Sequence, residues 1–130
     1  MNYSTRKKSK KTKGVKMKVP SVVYILGHKY EVEEMDEELF TSMDAYGDCC
    51  SHKRRIRVYA KAGGSLARDT LLHEILHGCW NLLALGAKAE EEKLVTSLST
   101  ALIGLIDDPR NKDIVKFILG ENDDISKPTN

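Results

Sequence analysis

The chain has 130 residues, of which 41% are hydrophobic and 31% charged, with a formal net charge of +2. That length supports one small domain around one core, and no apolar run approaches the roughly 20 residues a membrane-spanning helix requires. Cys49, Cys50 and Cys79 make neither a disulfide framework nor a C-x-x-C knuckle, so they read as small, partly buried thiols of a reducing compartment.

The first 18 residues carry eight of the 21 Lys and Arg and no acid, which leaves 13 bases against 19 acids in the remainder. Lysine repulsion and the lack of apolar area predict a disordered basic tail over 1–18, mainly solubilising, whose residues 6–18 are a candidate nucleic-acid contact through phosphate neutralisation. No apolar leader with a cleavage site accompanies it, so a cytoplasmic protein is expected. From Val19 the pattern changes. Val22–Leu26 and the alternating Lys29–Glu33, separated by Gly27-His28, predict a hairpin. Asp36 to Met43 suits a short helix, and Tyr46-Gly47-Asp48 has turn chemistry. Arg54–Tyr59 alternates Ile56 and Val58 with Arg55, Arg57 and Tyr59, which predicts a third strand, placed at a sheet edge because one face is so charged.

Gly63-Gly64 ends that strand, and Ser65, or failing it Asp69, is the expected N-cap of a helix from Leu66 to Leu83–Leu85, stopped by Gly86. Leu71, Leu72, Ile75, Leu76, Cys79, Trp80, Leu82 and Leu83 make this helix apolar on most sides, hence central. A second helix covers Ala89 to Ile106, with Glu90, Glu91 and Glu92 at its dipole-favoured start and Leu94, Val95, Leu98, Ala101, Leu102, Leu105 and Ile106 as its packing stripe. Asp108 and Pro109 open a third helix reaching Leu119, and 121–130 reads as a flexible tail. The expected architecture is α+β: a small antiparallel sheet of about three strands on two to three helices, spanning 19–120.

Within the first long helix stands His73-Glu74-Ile75-Leu76-His77, an H-E-x-x-H motif. Residues four apart share a helix face, so both imidazoles can reach one ion, and Glu74 lies beside them as a general base for water. Buried polar groups are costly without partners, and a metal would satisfy both histidines at once. Two imidazoles and a carboxylate suit zinc, one ion per chain. Trp80 and Leu83 stand where the extended H-E-x-x-H-x-x-G-x-x-H signature needs Gly and His, so the third ligand is expected from the acidic triplet. Glu91 shares the inward face of Leu94, Val95 and Leu98 and ranks first, then Glu92, then Glu90, with Asp107 a poor fallback. If helical to Gly86, the chain runs about 13 Å past His77, so the first helix must end early or cross the second steeply.

Thr70–His77, followed by Glu91 or Glu92, Val95-x-x-Leu98-x-x-x-Leu102 and an Asp-Pro, resembles small phage- and prophage-encoded zincin metallopeptidases, similar to the minimal gluzincin core of ImmA/IrrE-like peptidases. The resemblance covers roughly residues 44–110, including a Gly-x-Cys segment and the strand before the helix. It implies His73 and His77 as ligands, Glu74 as catalytic base, a downstream Glu ligand matched provisionally by Glu91, and a bacterial host cell. A protein or peptide substrate would then add along the edge strand, read here as Arg54–Tyr59, with Arg55, Arg57 and Tyr59 as contacts. Tyr59, Tyr46 and His52 are candidates to steady the oxyanion. The alternative is a non-catalytic zinc-stabilised protein, with Cys49, Cys50 or His52 closing the coordination and a nucleic-acid association through the basic tail.

Overall fold

A computed structural model describes residues 18–121. The basic stretch, Lys18 excepted, and residues 122–130 lie outside the described residues. Besides two 3-10 turns, four strands and four α-helices follow in chain order among these residues: β1 (Val22–Ile25), β2 (His28–Glu34), α1 (Glu37–Met43), β3 (Gly47–Cys50), β4 (Arg55–Val58), α2 (Gly64–Leu83), α3 (Lys88–Asp107) and α4 (Lys112–Ile118). They form an α+β structure. By contacts the chain divides into two compact units, the first ending at Ser99 and the second beginning at Thr100, with α3 running through both.

In the first unit the sheet order is β1-β2-β4-β3. β1 and β2 are an antiparallel hairpin, as their alternation predicts, and β3 and β4 are a second one. Two expectations are corrected. The sheet is mixed and four-stranded, because β2 and β4 run parallel with Val32 beside Ile56. The Gly47-Asp48 segment expected to be a turn is strand β3, and it displaces β4 from the edge. The charged face of β4 is tolerated inside the sheet because its cross-strand neighbours are acids: Arg57 lies between Glu33 and Asp48 in register. Its guanidinium donates to both Asp48 carboxylate oxygens, at 3.0 and 2.8 Å.

The opposite face of each strand makes the core. Ile25, Tyr30, Val32, Ile56 and Val58 are buried against Ala67 of α2, with Leu71, Ile75, Cys79 and Leu82 packed around them. A second cluster of Met35, Tyr46 and Tyr59 is covered by Leu39, Phe40 and Met43 of α1. Helix α1 is capped by Asp36, whose Oδ1 accepts from the Leu39 amide at 2.8 Å.

Helix α2 begins without a side-chain cap. Gly63, at φ 123° and ψ 150°, precedes it where Ser65 was expected, a conformation essentially reserved for glycine. The helix ends at Leu83, within the expected Leu83–Leu85, because Ala84 takes the left-handed conformation and its amide reaches back to Trp80 and Asn81. Along α2 the buried Ala67, Thr70, Glu74 and Gly78 follow three- and four-residue spacing toward the sheet. His73, His77 and Trp80 trace the neighbouring stripe. In the first unit α3 buries Val95 and Ser99, whereas Leu94 and Leu98 of the expected stripe are exposed.

In the second unit, the end of α3 is followed by a 3-10 turn at Pro109–Asn111 and by α4. Asp108 caps the turn by accepting from the Arg110 amide at 3.0 Å, and Asn111 donates to the Leu105 carbonyl at 3.1 Å. The expected third helix is thus split, its first turn wound as 3-10.

Candidate metal centre

The two histidines of the motif lie one turn apart on α2 and turn their Nε2 atoms toward each other at 3.2 Å. Glu92, in the second turn of α3, completes the group. Its Oε1 is 3.0 Å from His77 Nε2 and its Oε2 is 3.4 Å from His73 Nε2. One donor atom from each of His73, His77 and Glu92 falls within 4.8 Å of the others. Thr96, one turn further along α3, donates its hydroxyl to Glu92 Oε2 at 3.2 Å and holds the carboxylate in place.

These spacings can be tested against zinc. Two donors at 2.0–2.1 Å from a tetrahedral ion stand about 3.3 Å apart. The Nε2–Nε2 separation of 3.2 Å matches one edge of such a tetrahedron, and the two Glu92 oxygens lie at comparable distances, Oε1 3.0 Å from His77 Nε2 and Oε2 3.4 Å from His73 Nε2. Two imidazole nitrogens facing each other and one carboxylate form a poor hydrogen-bonding set but a good ligand set. His73 is buried and His77 and Glu92 half-buried, and the last two border an open cleft.

The ranking made from helix faces is reversed: Glu92, not Glu91, meets both Nε2 atoms. Glu91 instead meets the opposite side of His77, its Oε2 lying 2.6 Å from Nδ1. Glu90 is exposed, and the group assembles without it or Asp107. Early termination of α2 makes this possible. His77 lies six residues before the helix end at Leu83, about 9 Å of helix, and Glu92 lies four residues into α3, about 6 Å, so the two come level.

Glu74 is 1% exposed and faces β3 across from Cys49. Burial and the Glu74 charge push the Cys49 thiol up to about 12. Cys49, Cys50 and His52 are absent from the ligand group, although all three line an open cleft of about 400 Å3 beside it. The same cleft touches Glu74, His77, Glu91 and Glu92, with Asn81 and Lys88 at its helical side.

The residues expected to contact substrate from β4 are otherwise engaged. That strand is interior, so no peptide can add along it, and Arg57 is held by Asp48. Arg55 is half-buried on the same strand. Tyr59 is buried, stacked on Phe40 with ring centroids 3.9 Å apart, and donates its hydroxyl to Glu37 at 3.0 Å. Tyr46 is buried beside it, so of the three oxyanion candidates His52 is the one on the cleft. Asn81 and Lys88 were missed. Asn81 continues the four-residue spacing of His73 and His77, a signal present in the sequence.

No protein-family model, curated protein or solved structure matches this chain. The chemistry of the site therefore rests on its own geometry. No helix among the described residues is long and apolar enough to cross a membrane.

Proposed function

We propose that this chain is a zinc-dependent metallopeptidase, with His73, His77 and Glu92 as the metal ligands and Glu74 as the general base. The observation that carries the reading is the pair of Nε2 atoms 3.2 Å apart on an H-E-x-x-H helix, each met by one oxygen of Glu92 from the next helix, at 3.0 and 3.4 Å. Its resemblance to the small phage-encoded zincins rests on the same residues.

When bound, zinc supplies Lewis acidity to the scissile carbonyl and to the attacking water. The chain supplies the rest. Glu74 takes a proton from the water and hands it to the leaving amine. Its burial keeps bulk solvent from competing for that proton. Among the described residues β3 pairs with β4 alone, so its outer edge can hydrogen-bond an extended peptide along the cleft. His52 and Asn81 line that cleft as candidate donors to the oxyanion.

The test is metal content together with peptidase activity on a library of quenched fluorogenic peptides. Wild type should carry about one zinc per chain, as a three-ligand site requires. Glu74→Gln should keep the zinc and lose cleavage. Cleavage that survives the substitution would remove Glu74 as the base, and a zinc-loaded wild type inactive on every peptide would leave a structural zinc protein.

A further inference from the structure

The acidic pair at the start of α3 does two different things to one imidazole. Glu92 lies on the Nε2 side of His77 at 3.0 Å, and Glu91 lies on the Nδ1 side at 2.6 Å. The Nδ1 contact is the more shielded, with Glu91 16% exposed at the side chain against 36% for Glu92. Consecutive residues on a helix point about 100° apart. The pair can bracket one ring because His77 projects between them from α2.

We propose that Glu91 is a positioning residue: it accepts the Nδ1 proton of His77, locks the ring in the tautomer whose Nε2 lone pair is bare, and aims that lone pair at the metal. The inference rests on the metal reading above and adds a role for a residue outside the ligand set. A neutral imidazole has one N–H and one lone pair, so a strong acceptor at Nδ1 decides which nitrogen remains free to coordinate. A carboxylate is the strongest such acceptor in a side chain, and it also makes Nε2 a better donor to the ion. The 2.6 Å contact is the shortest at the site, and Glu91 has one further consequence there. It fixes the imidazole plane, so His77 needs little reordering when a metal arrives. The contact with Glu91 belongs to His77, so loss of Glu91 is felt first at that ring.

The experiment measures zinc affinity of the full chain by competition with a chromogenic chelator, for wild type, Glu91→Ala, Glu91→Gln and Glu92→Ala. Imidazole nitrogen NMR of the zinc-loaded proteins reads the His77 tautomer. Glu91→Ala should keep one zinc per chain with affinity about 10- to 100-fold weaker, the usual effect of removing an outer carboxylate. Its His77 resonances should lose the pattern of a single Nε2-coordinated tautomer with a strongly hydrogen-bonded Nδ1–H. Glu91→Gln retains a carbonyl acceptor and should recover the tautomer and part of the affinity, which a merely structural role would not predict. Glu92→Ala should lose more affinity than either. Unchanged affinity and unchanged His77 signals in Glu91→Ala would overturn the proposal while leaving the metal site intact. Zinc lost from Glu91→Ala but kept by Glu92→Ala would also overturn it, making Glu91 the ligand. Absence of zinc from the wild type would instead sink the metal reading. A melting transition for each metal-free variant separates these outcomes from misfolding.

Discussion

A Cβ atom placed on Gly78 would stand 2.8 Å from Cδ1 of Ile25, closer than real side chains approach. Helix α2 therefore presses against β1 immediately after His77, and the lack of a side chain at Gly78 sets how closely the His73 and His77 stripe lies to the sheet. Glycine in mid-helix costs about 0.5–1 kcal/mol relative to alanine, so that close approach offsets a propensity loss. The contact is with the tip of one buried side chain, and this makes the effect separable. Gly78→Ala should destabilise the protein by roughly 1 kcal/mol or more through overpacking. In an Ile25→Val background, which removes Cδ1, the same change should be neutral or stabilising. Urea unfolding of the four proteins gives the coupling, and additive effects would contradict the close contact.

Ala84 ends α2 at φ 50° and ψ 53°, where a Cβ is strained. Ala84→Gly should raise stability by about 0.5–1 kcal/mol. Thermal melting would show this as a higher midpoint with zinc binding unchanged. A lower midpoint would mean that the helix does not end there.

Metal removal should lower stability by mass action, because an ion held by folded-state geometry binds the unfolded chain poorly. At a free zinc concentration of about 1,000 times Kd the difference is about 4 kcal/mol. Melting curves with excess zinc and with a chelator should separate for wild type. They should coincide for His73→Ala, which retains only two ligands. A persistent gap in that variant would place the ion elsewhere.

Burial, and secondarily the Glu74 carboxylate, raise the Cys49 thiol from 9.0 to about 12 in the folded state. For a raised pKa the stabilising contribution is complete below the unfolded value and is lost as pH climbs toward the folded one. In the metal-free protein, stability should thus fall from about pH 9 upward, by at most about 1.4 kcal/mol per pH unit from this group. Partial solvent screening lowers that ceiling. Cys49→Ala should flatten the slope between pH 9 and 10.5 in denaturant titrations, whereas an unchanged slope would assign it to other groups. Cys49 should also alkylate slowly at pH 8.

The motif helix, the first hairpin and the start of α3 were legible because each depends on spacing within one segment: four residues between His73 and His77, two between Tyr30 and Val32. The interior position of β4 was not legible from its arginines. A row of charges looks like solvent exposure until Asp48 and Glu33 arrive from other strands to neutralise it. The Gly47–Cys50 strand carries no strong alternation of its own and is recruited by pairing with β4.

The sequence by itself determined that two imidazoles and a carboxylate share a helix, and that an acidic helix start follows. Tertiary structure decided which acid meets which nitrogen. Helix periodicity ranks Glu91 and Glu92 by the face they share with leucines on their own helix, but the acid that meets both Nε2 atoms is chosen by where His77 stands on another. That depends on Ala84 stopping α2 six residues beyond His77 and on Gly78 setting the depth of the helix against the sheet. Distances between separate elements follow from packing, and no local pattern encodes them.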